Sequence, residues 1–188
     1  MTTEQIAIRP ARLADAEAIA RIHVETWRAS YAGILPERYL VGMSESGQAF
    51  QWRKVLRRGG EHVLVAEAKD GDPRYPGARS VIGFGSAGAT RSPDLPFSGE
   101  IFTLYVALDW QGRGVGRRLL GDLLARLFAA RHEGALVWVL ANNPSRFFYE
   151  KMGAQRAAER RESFAGELLA EIGYGWPDLE IWRSGGRF

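Results

Sequence analysis

Glu100-Ile101-Phe102-Thr103-Leu104-Tyr105-Val106, followed after four intervening residues by Gln111-Gly112-Arg113-Gly114-Val115-Gly116, is the stretch whose reading decides the fold. The first run is bulky, aromatic and β-branched, which predicts a strand. From Val115 onward, Leu119, Leu120, Leu123, Leu124, Leu127 and Phe128 recur at helical spacing, so a helix opens inside the glycine segment. Gly134 ends that helix, and Ala135–Leu140 is an unbroken apolar run that reads as a second buried strand. A strand–helix–strand unit of this length implies a parallel pair with a right-handed crossover.

Toward the N-terminus, Ile6–Arg9 reads as a first strand closed by Pro10. Asp15 to about Tyr31 reads as an amphipathic helix with Ile19, Ile22, Thr26, Trp27, Ser30 and Tyr31 on one face. Pro36–Leu40 allows one further turn. Ser44 or Ser46 caps a second helix to Arg58, with Phe50, Trp52, Val55 and Leu56 as its apolar side. His62–Ala66 and Ser80–Gly85 are strand signals, joined by a turn over Lys69–Pro73, and residues 89–99 read as loop. Toward the C-terminus, Asn143-Pro144 provides a cap residue and an N1 proline for a helix running through Phe147, Phe148 and Met152 to Gly153. Glu162–Leu169 and Glu171–Trp182 read as two last strands. The expected architecture is a single α/β domain over 1–188, with a mixed, mostly antiparallel sheet of about seven strands and about four flanking helices.

The composition narrows the chemistry. The chain has 188 residues, a formal net charge of +3, no cysteine, and only His23, His62 and His132 as histidines. Absent cysteine removes disulfides, thiolate metal sites and a cysteine nucleophile. No histidine pair has i, i+4 spacing, so no metal site is expected. The basic groups Arg53/Lys54/Arg57/Arg58, Arg113/Arg117/Arg118 and Arg156/Arg160/Arg161 read first as solvated faces. No nucleic-acid motif, signal peptide or membrane-spanning run is recognisable, so the expectation is a cytoplasmic protein with no nucleic-acid or membrane partner.

Two glycine motifs compete for attention. Gly83-Phe84-Gly85-Ser86-Ala87-Gly88 fits G-x-G-x-x-G, but Pro93 and Pro96 forbid the helix that a dinucleotide site needs there. It reads as a glycine-rich strand end. Gln111–Gly116 has the context that the first lacks: successive backbone N–H groups can converge at a helix N-terminus, where an anion is favoured, with Arg113, Arg117 and Arg118 around them. A third segment, Asn142-Asn143-Pro144-Ser145-Arg146-Phe147-Phe148-Tyr149, sets an asparagine at a strand exit and a tyrosine inside the next helix, beside the same sheet opening.

Together these segments resemble the GCN-related N-acetyltransferases. Gln111–Gly116 matches that superfamily's Q/R-x-x-G-x-G/A, and Asn142, Ser145, Phe148, Tyr149 and Gly153 match its N-x-x-A/S-x-x-F-Y-x-x-x-G. Ala154 departs from the bulky aromatic that commonly follows that glycine. Trp27-Arg28-Ala29-Ser30-Tyr31-Ala32-Gly33-Ile34-Leu35-Pro36 is similar to a segment of members with unassigned acceptors. The resemblance implies an acetyl-CoA-dependent N-acetyltransferase acting by direct attack on a primary amine of a small molecule or peptide. The pyrophosphate of coenzyme A would lie on Gly112, Gly114, Val115 and Gly116, beside Gln111, Arg113 and Arg117. The pantetheine arm would pair with the strand at Leu104, Tyr105 and Val106, with Asn142 and Ser145 near it. Tyr149 would act as general acid, Glu100 or another carboxylate as base, and the Val106 N–H would face the developing oxyanion. The acceptor pocket would draw on Trp27, Tyr31, Glu25, Tyr174, Trp176 and Asp178. A homodimer is the family's habit. The residues equally allow a non-catalytic coenzyme-A-binding sensor, or a transferase using another acyl group or an O-acceptor.

Overall fold

The computed structural model describes residues 6–69 and 79–183. The alternating and continuous apolar runs form seven strands: β1 Ala7–Pro10, β2 His62–Lys69, β3 Arg79–Ala89, β4 Gly99–Val106, β5 Ala135–Leu140, β6 Gln155–Phe164 and β7 Glu167–Trp176. They make one sheet in the order β1-β2-β3-β4-β5-β7-β6. Only β4 and β5 run parallel, as the crossover implied. The helices are α1 Ala16–Ser30, α2 Glu37–Gly42, α3 Glu45–Arg58, α4 Val115–Ala129 and α5 Arg146–Lys151. The fold is therefore the expected seven-stranded mixed sheet, with the Pro36–Leu40 turn realised as a fifth, short helix. The Lys69–Pro73 turn falls largely outside the described residues.

Each face of the sheet buries a helical layer. Ile19 and Ile22 of α1 and Trp52 of α3 pack on Val65 and Phe84. On the other face Leu119, Leu120, Leu123 and Leu124 of α4 pack on Leu64, Ile82, Ile101 and Val137. Ser44 caps α3 by accepting the Gly47 N–H at 3.1 Å. Phe50, expected on the buried side of that helix, is instead 54% exposed beneath the Lys54 ammonium. The inward positions are taken by Ala49 and Trp52, which pack in one cluster with Ala16, Ile19 and Ala20 of α1.

The C-terminal hairpin is shifted from its expected position. Its two-residue turn is Ala165-Gly166, both left-handed (φ 52° and 86°), so the strands begin earlier than Glu162 and Glu171. Turns of this kind are usually signalled by Asn-Gly or Asp-Gly, and alanine in the first place hides the signal. Trp182 lies in a separate 3-10 turn.

The glycines of 83–88 lie inside β3 and serve packing. A Cβ on Gly85 would meet Leu123 Cδ1 at 2.7 Å and the Thr103 carbonyl at 3.0 Å, so α4 can lie on this strand only if the side chain is absent. Gly85→Ala is therefore expected to destabilise the fold by about 1–3 kcal/mol, read as a lower urea midpoint at unchanged m-value.

Candidate active site

The sheet opens where its parallel pair ends. β4 and β5 are in register only at Gly99↔Ala135, Glu100↔Leu136 and Ile101↔Val137. One residue further, the pairing of β4 with β3 slips from Ala87↔Ile101 to Ser86↔Thr103, leaving Phe102 as an extra residue in β4. Such a bulge bends its strand and increases its twist. Beyond it the two strands diverge and a groove lies between them.

The bulge also sets which groups face that groove. Ala107 donates its N–H to the Ile82 carbonyl at 2.9 Å. Antiparallel ladders alternate, so the pairs Gly83↔Val106 and Gly85↔Leu104 point their N–H and C=O groups away from β3. Leu104 and Val106 therefore aim main-chain groups into the groove, with no ladder partner in β5. The Gln111 amide reaches back to hold the Val106 carbonyl at 3.1 Å.

Three cavities adjoin along this groove. The outermost, about 540 Å³, is lined by Gly112, Gly114, Gly116, Arg117, Ser145 and Lys151, among others. Gly112 (φ 71°) and Gly114 (φ 80°) adopt left-handed conformations that turn the chain into α4. The first main-chain bond of that helix runs from the Arg118 N–H to the Gly114 carbonyl, so the amides of Val115, Gly116 and Arg117 have no acceptor within it. Arg113 stacks over Trp110 at the same loop.

The middle cavity runs between Leu104–Val106 and Val137–Val139, with Tyr31, Asn143, Ser145 and Tyr149 on its walls. Asn142 is exposed and is not among the residues lining these cavities; the buried asparagine here is Asn143. Asn143 accepts the Ser145 N–H at 2.9 Å in the turn before α5, but the helix starts at Arg146 with Ser145 in the cap position, two residues later than the expected Asn143-Pro144 start. Tyr149 is 7% exposed, and burial raises its phenol above the ordinary value, with the nearby Tyr31 adding to the rise.

The innermost cavity, about 180 Å³, shares Tyr31, Phe102, Tyr105 and Trp138 with the middle one. Trp27 and Tyr31 line it. Glu100 lies at its wall, 1% exposed. It accepts the Arg91 main-chain N–H at 2.7 Å on Oε2 and the Arg91 guanidinium at 2.7 and 3.1 Å on Oε1. Among the described residues Glu171 is held only through Oε2, by Arg160 Nε at 2.6 Å, and the Arg160 guanidinium lies over the Trp138 ring at 4.1 Å. Arg160 is thus part of the cavity wall and not the solvated face its run of arginines suggested.

Four residues nominated for the acceptor lie elsewhere. Tyr174 and Trp176 are 2% exposed core residues that donate to Glu150 and to the Met152 carbonyl. Strand side chains alternate, so Leu169 and Glu171 of β7 face the cavity while Tyr174 and Trp176 face α4 and α5. Glu25 is exposed beside Arg21, and Asp178 caps a turn through the Glu180 N–H. Sequence reasoning missed Arg91, Trp138, Arg160, Glu162 and Glu171. For Arg160, Glu162 and Glu171 the signal was the two-residue period of β6 and β7, which needed the hairpin register to be useful; Arg91, in the loop between β3 and β4, and Trp138, in β5, lie outside that hairpin.

Charge varies along the groove. The outer cavity is lined by Arg117 and Lys151 with no carboxylate, the middle one by no charged side chain, and the inner one by Glu100, Glu162 and Glu171 against Arg91 and Arg160. Among the described residues no cluster of His, Asp or Glu could hold a metal, and no helix is long and apolar enough to cross a membrane.

His23 sits behind the inner cavity. Its ring stacks on Tyr105 (5.3 Å between centroids), meets Trp27 edge-on at 5.1 Å, and accepts the Trp52 indole N–H on Nδ1 at 3.3 Å. The proton is therefore on Nε2, which has no partner among the described residues. Burial lowers its pKa to about 4. A lowered folded-state value means stability is full above the unfolded value near 6.5 and declines as pH falls toward 4, by up to about 1.4 kcal/mol per pH unit. His23→Phe is expected to flatten that slope in denaturation experiments between these two pH values.

The sheet is split at its one parallel pair, with a glycine loop and a helix N-terminus at the opening. A sequence profile of the acetyltransferase (GNAT) family matches residues 17–154, and the chain belongs to that family. Acetyl-CoA is the family's co-substrate. The chain is 34% identical to the uncharacterized N-acetyltransferase YuaI of Bacillus subtilis, over 95% of this chain and 97% of that protein. It is similar in fold to an N-acetyltransferase of Staphylococcus aureus (TM-score 0.68, 21% identity, 94% of this chain and 99% of that one). It is also similar to YncA of Salmonella typhimurium, solved with acetyl-CoA (TM-score 0.65, 19% identity, 97% and 99%).

Proposed function

We propose that this chain transfers an acetyl group from acetyl-CoA to a primary amine of a small molecule or peptide, by direct attack while both are bound. The observation that carries this reading is the single groove whose lining passes from positive, through neutral with inward-facing main-chain groups, to negative. Acetyl-CoA supplies an acetyl group already activated as a thioester. The pyrophosphate end fits the amides of Gly112–Gly116 with Arg117, Lys151 and the neighbouring Arg113. The arm fits the main-chain groups of Leu104 and Val106, flanked by Tyr105, Ser145 and Tyr149. Asn143, and not Asn142, is the asparagine placed to touch it.

The acceptor must lose a proton before it can attack. An amine of pKa about 10.4 pays roughly 4–5 kcal/mol to be neutral at pH 7, and a carboxylate that takes the proton through water lowers that cost. Glu100 is the base implied by the family resemblance, but Arg91 occupies most of its acceptor positions. Glu171, whose Oε1 has no hydrogen-bond partner among the described residues, is the second candidate in the same cavity. The Val106 N–H points into the groove and is available to negative charge developing on an oxygen there. Burial favours the protonated phenol of Tyr149, which suits it to give a proton or a hydrogen bond to the departing sulfur as general acid.

Tyr149→Phe is expected to lower kcat about ten- to a hundredfold with little change in KM; unchanged turnover removes Tyr149 from the reaction. The acid limb of the kcat/KM profile separates the two carboxylates. It is lost in Glu100→Gln or in Glu171→Gln, whichever residue is the base. Stabilisation of the protein by coenzyme A on heating, with no thiol release across an amine panel, would identify a sensor. Thiol release with alcohols alone would identify an O-acetyltransferase, and release from a different acyl-CoA alone would identify a transferase of that acyl group.

A further inference from the structure

We infer that the acceptor is a dicationic amine, with its distal ammonium held by Glu162 at the end of the inner cavity away from the thioester groove. This deepens the amine reading above and rests on it.

The charge balance of the cavity is the first argument. Three carboxylates and two guanidiniums line it, a surplus of one negative charge in a protein whose formal net charge is +3. Glu100 is paired with Arg91 and Glu171 with Arg160. Glu162 has no partner among the described residues. The β6–β7 register shows why. Arg160 stands opposite Glu171, so those two neutralise each other across the strands. Two residues on, Glu162 stands opposite Leu169, where no cation answers it.

Position is the second argument. Arg160, Glu162 and Phe164 share one face of β6 by the two-residue period, and all three line the cavity. Glu162 is absent from the middle cavity, where the thioester would lie, so it serves only the far end of an acceptor. β6 is two strands from β5 in the sheet order, a lateral distance of about 10 Å at ordinary strand spacing. The space between is walled by Trp27, Tyr31, Tyr105, Trp138 and Phe164. Aromatic faces suit an aliphatic chain and are attractive to an ammonium group. An acceptor carrying a carboxylate fares worse: each guanidinium is already held by a glutamate, and the carboxylate would have to compete for it.

The test is thiol release at saturating acetyl-CoA with α,ω-diaminoalkanes of increasing length, matched monoamines and α-amino acids. The best diamine is expected to exceed its matched monoamine about tenfold in kcat/KM, chiefly through KM, with an optimum chain length. Glu162→Gln should bring that ratio close to one, and Glu162→Lys should invert it. Glu162 is exposed on an edge strand, so neither change threatens folding, and a purely structural effect would lower both substrates alike. A ratio that persists in Glu162→Gln, or a preference for monoamines or α-amino acids, overturns the inference and leaves the amine reading standing. No transfer to any amine overturns the amine reading itself.

Discussion

One extra residue in β4 organises the rest of this molecule. Phe102 has no partner in β3, and the parallel pair of β4 with β5 ends at the residue before it. The bulge turns β4 away from β5 and opens the groove. It also reverses the side-chain parity of the strand. Ile101 and Leu104 both pack toward α4 although they are an odd number of residues apart, while Glu100 and Tyr105 both line the inner cavity. In an unbulged strand each pair would be split between the two faces. The same slip turns the main-chain groups of Leu104 and Val106 toward the groove, where Gln111 holds the Val106 carbonyl.

Around that opening the protein distributes charge and rigidity unevenly. The outer end combines helix amides and basic side chains, as an anionic carrier requires. The inner end is built from rings, ion pairs and one unanswered carboxylate. His23, Trp27, Trp52, Phe84 and Tyr105 form a dense aromatic cluster behind the inner wall. Opposite it, the loop between β3 and β4 is tied down by Arg91 on Glu100, by Ser92 accepting the Trp138 indole N–H at 3.1 Å, and by Phe97 lying on Gly175. Preorganised walls of this kind limit the entropy lost on ordering an acceptor.

Much of the fold was legible in the order of residues because its signals are local. The leucines of α4, the apolar runs of β4 and β5, Ser44 before α3 and Asn143-Pro144 before α5 each declare an element from within a few positions. Tyr174 and Trp176 were misplaced for a different reason. A large aromatic on a strand can face either side of the sheet, and the Ala165-Gly166 turn that sets the hairpin register carries a weak signal. Arg160 was misread in the same way, since a run of arginines does not announce which member lies on a tryptophan.

By itself the sequence determined the element order, the parallel crossover unit, the glycine-lined start of α4 and the family resemblance, because propensity, periodicity and capping act within one or two turns of chain. Only the tertiary structure decided where the sheet splits, which face each residue of β4, β6 and β7 takes, that Asn143 and not Asn142 lines the groove, and which carboxylates are already paired. Those outcomes depend on register between strands far apart in sequence. A slip of one residue in such a pairing exchanges core for cavity.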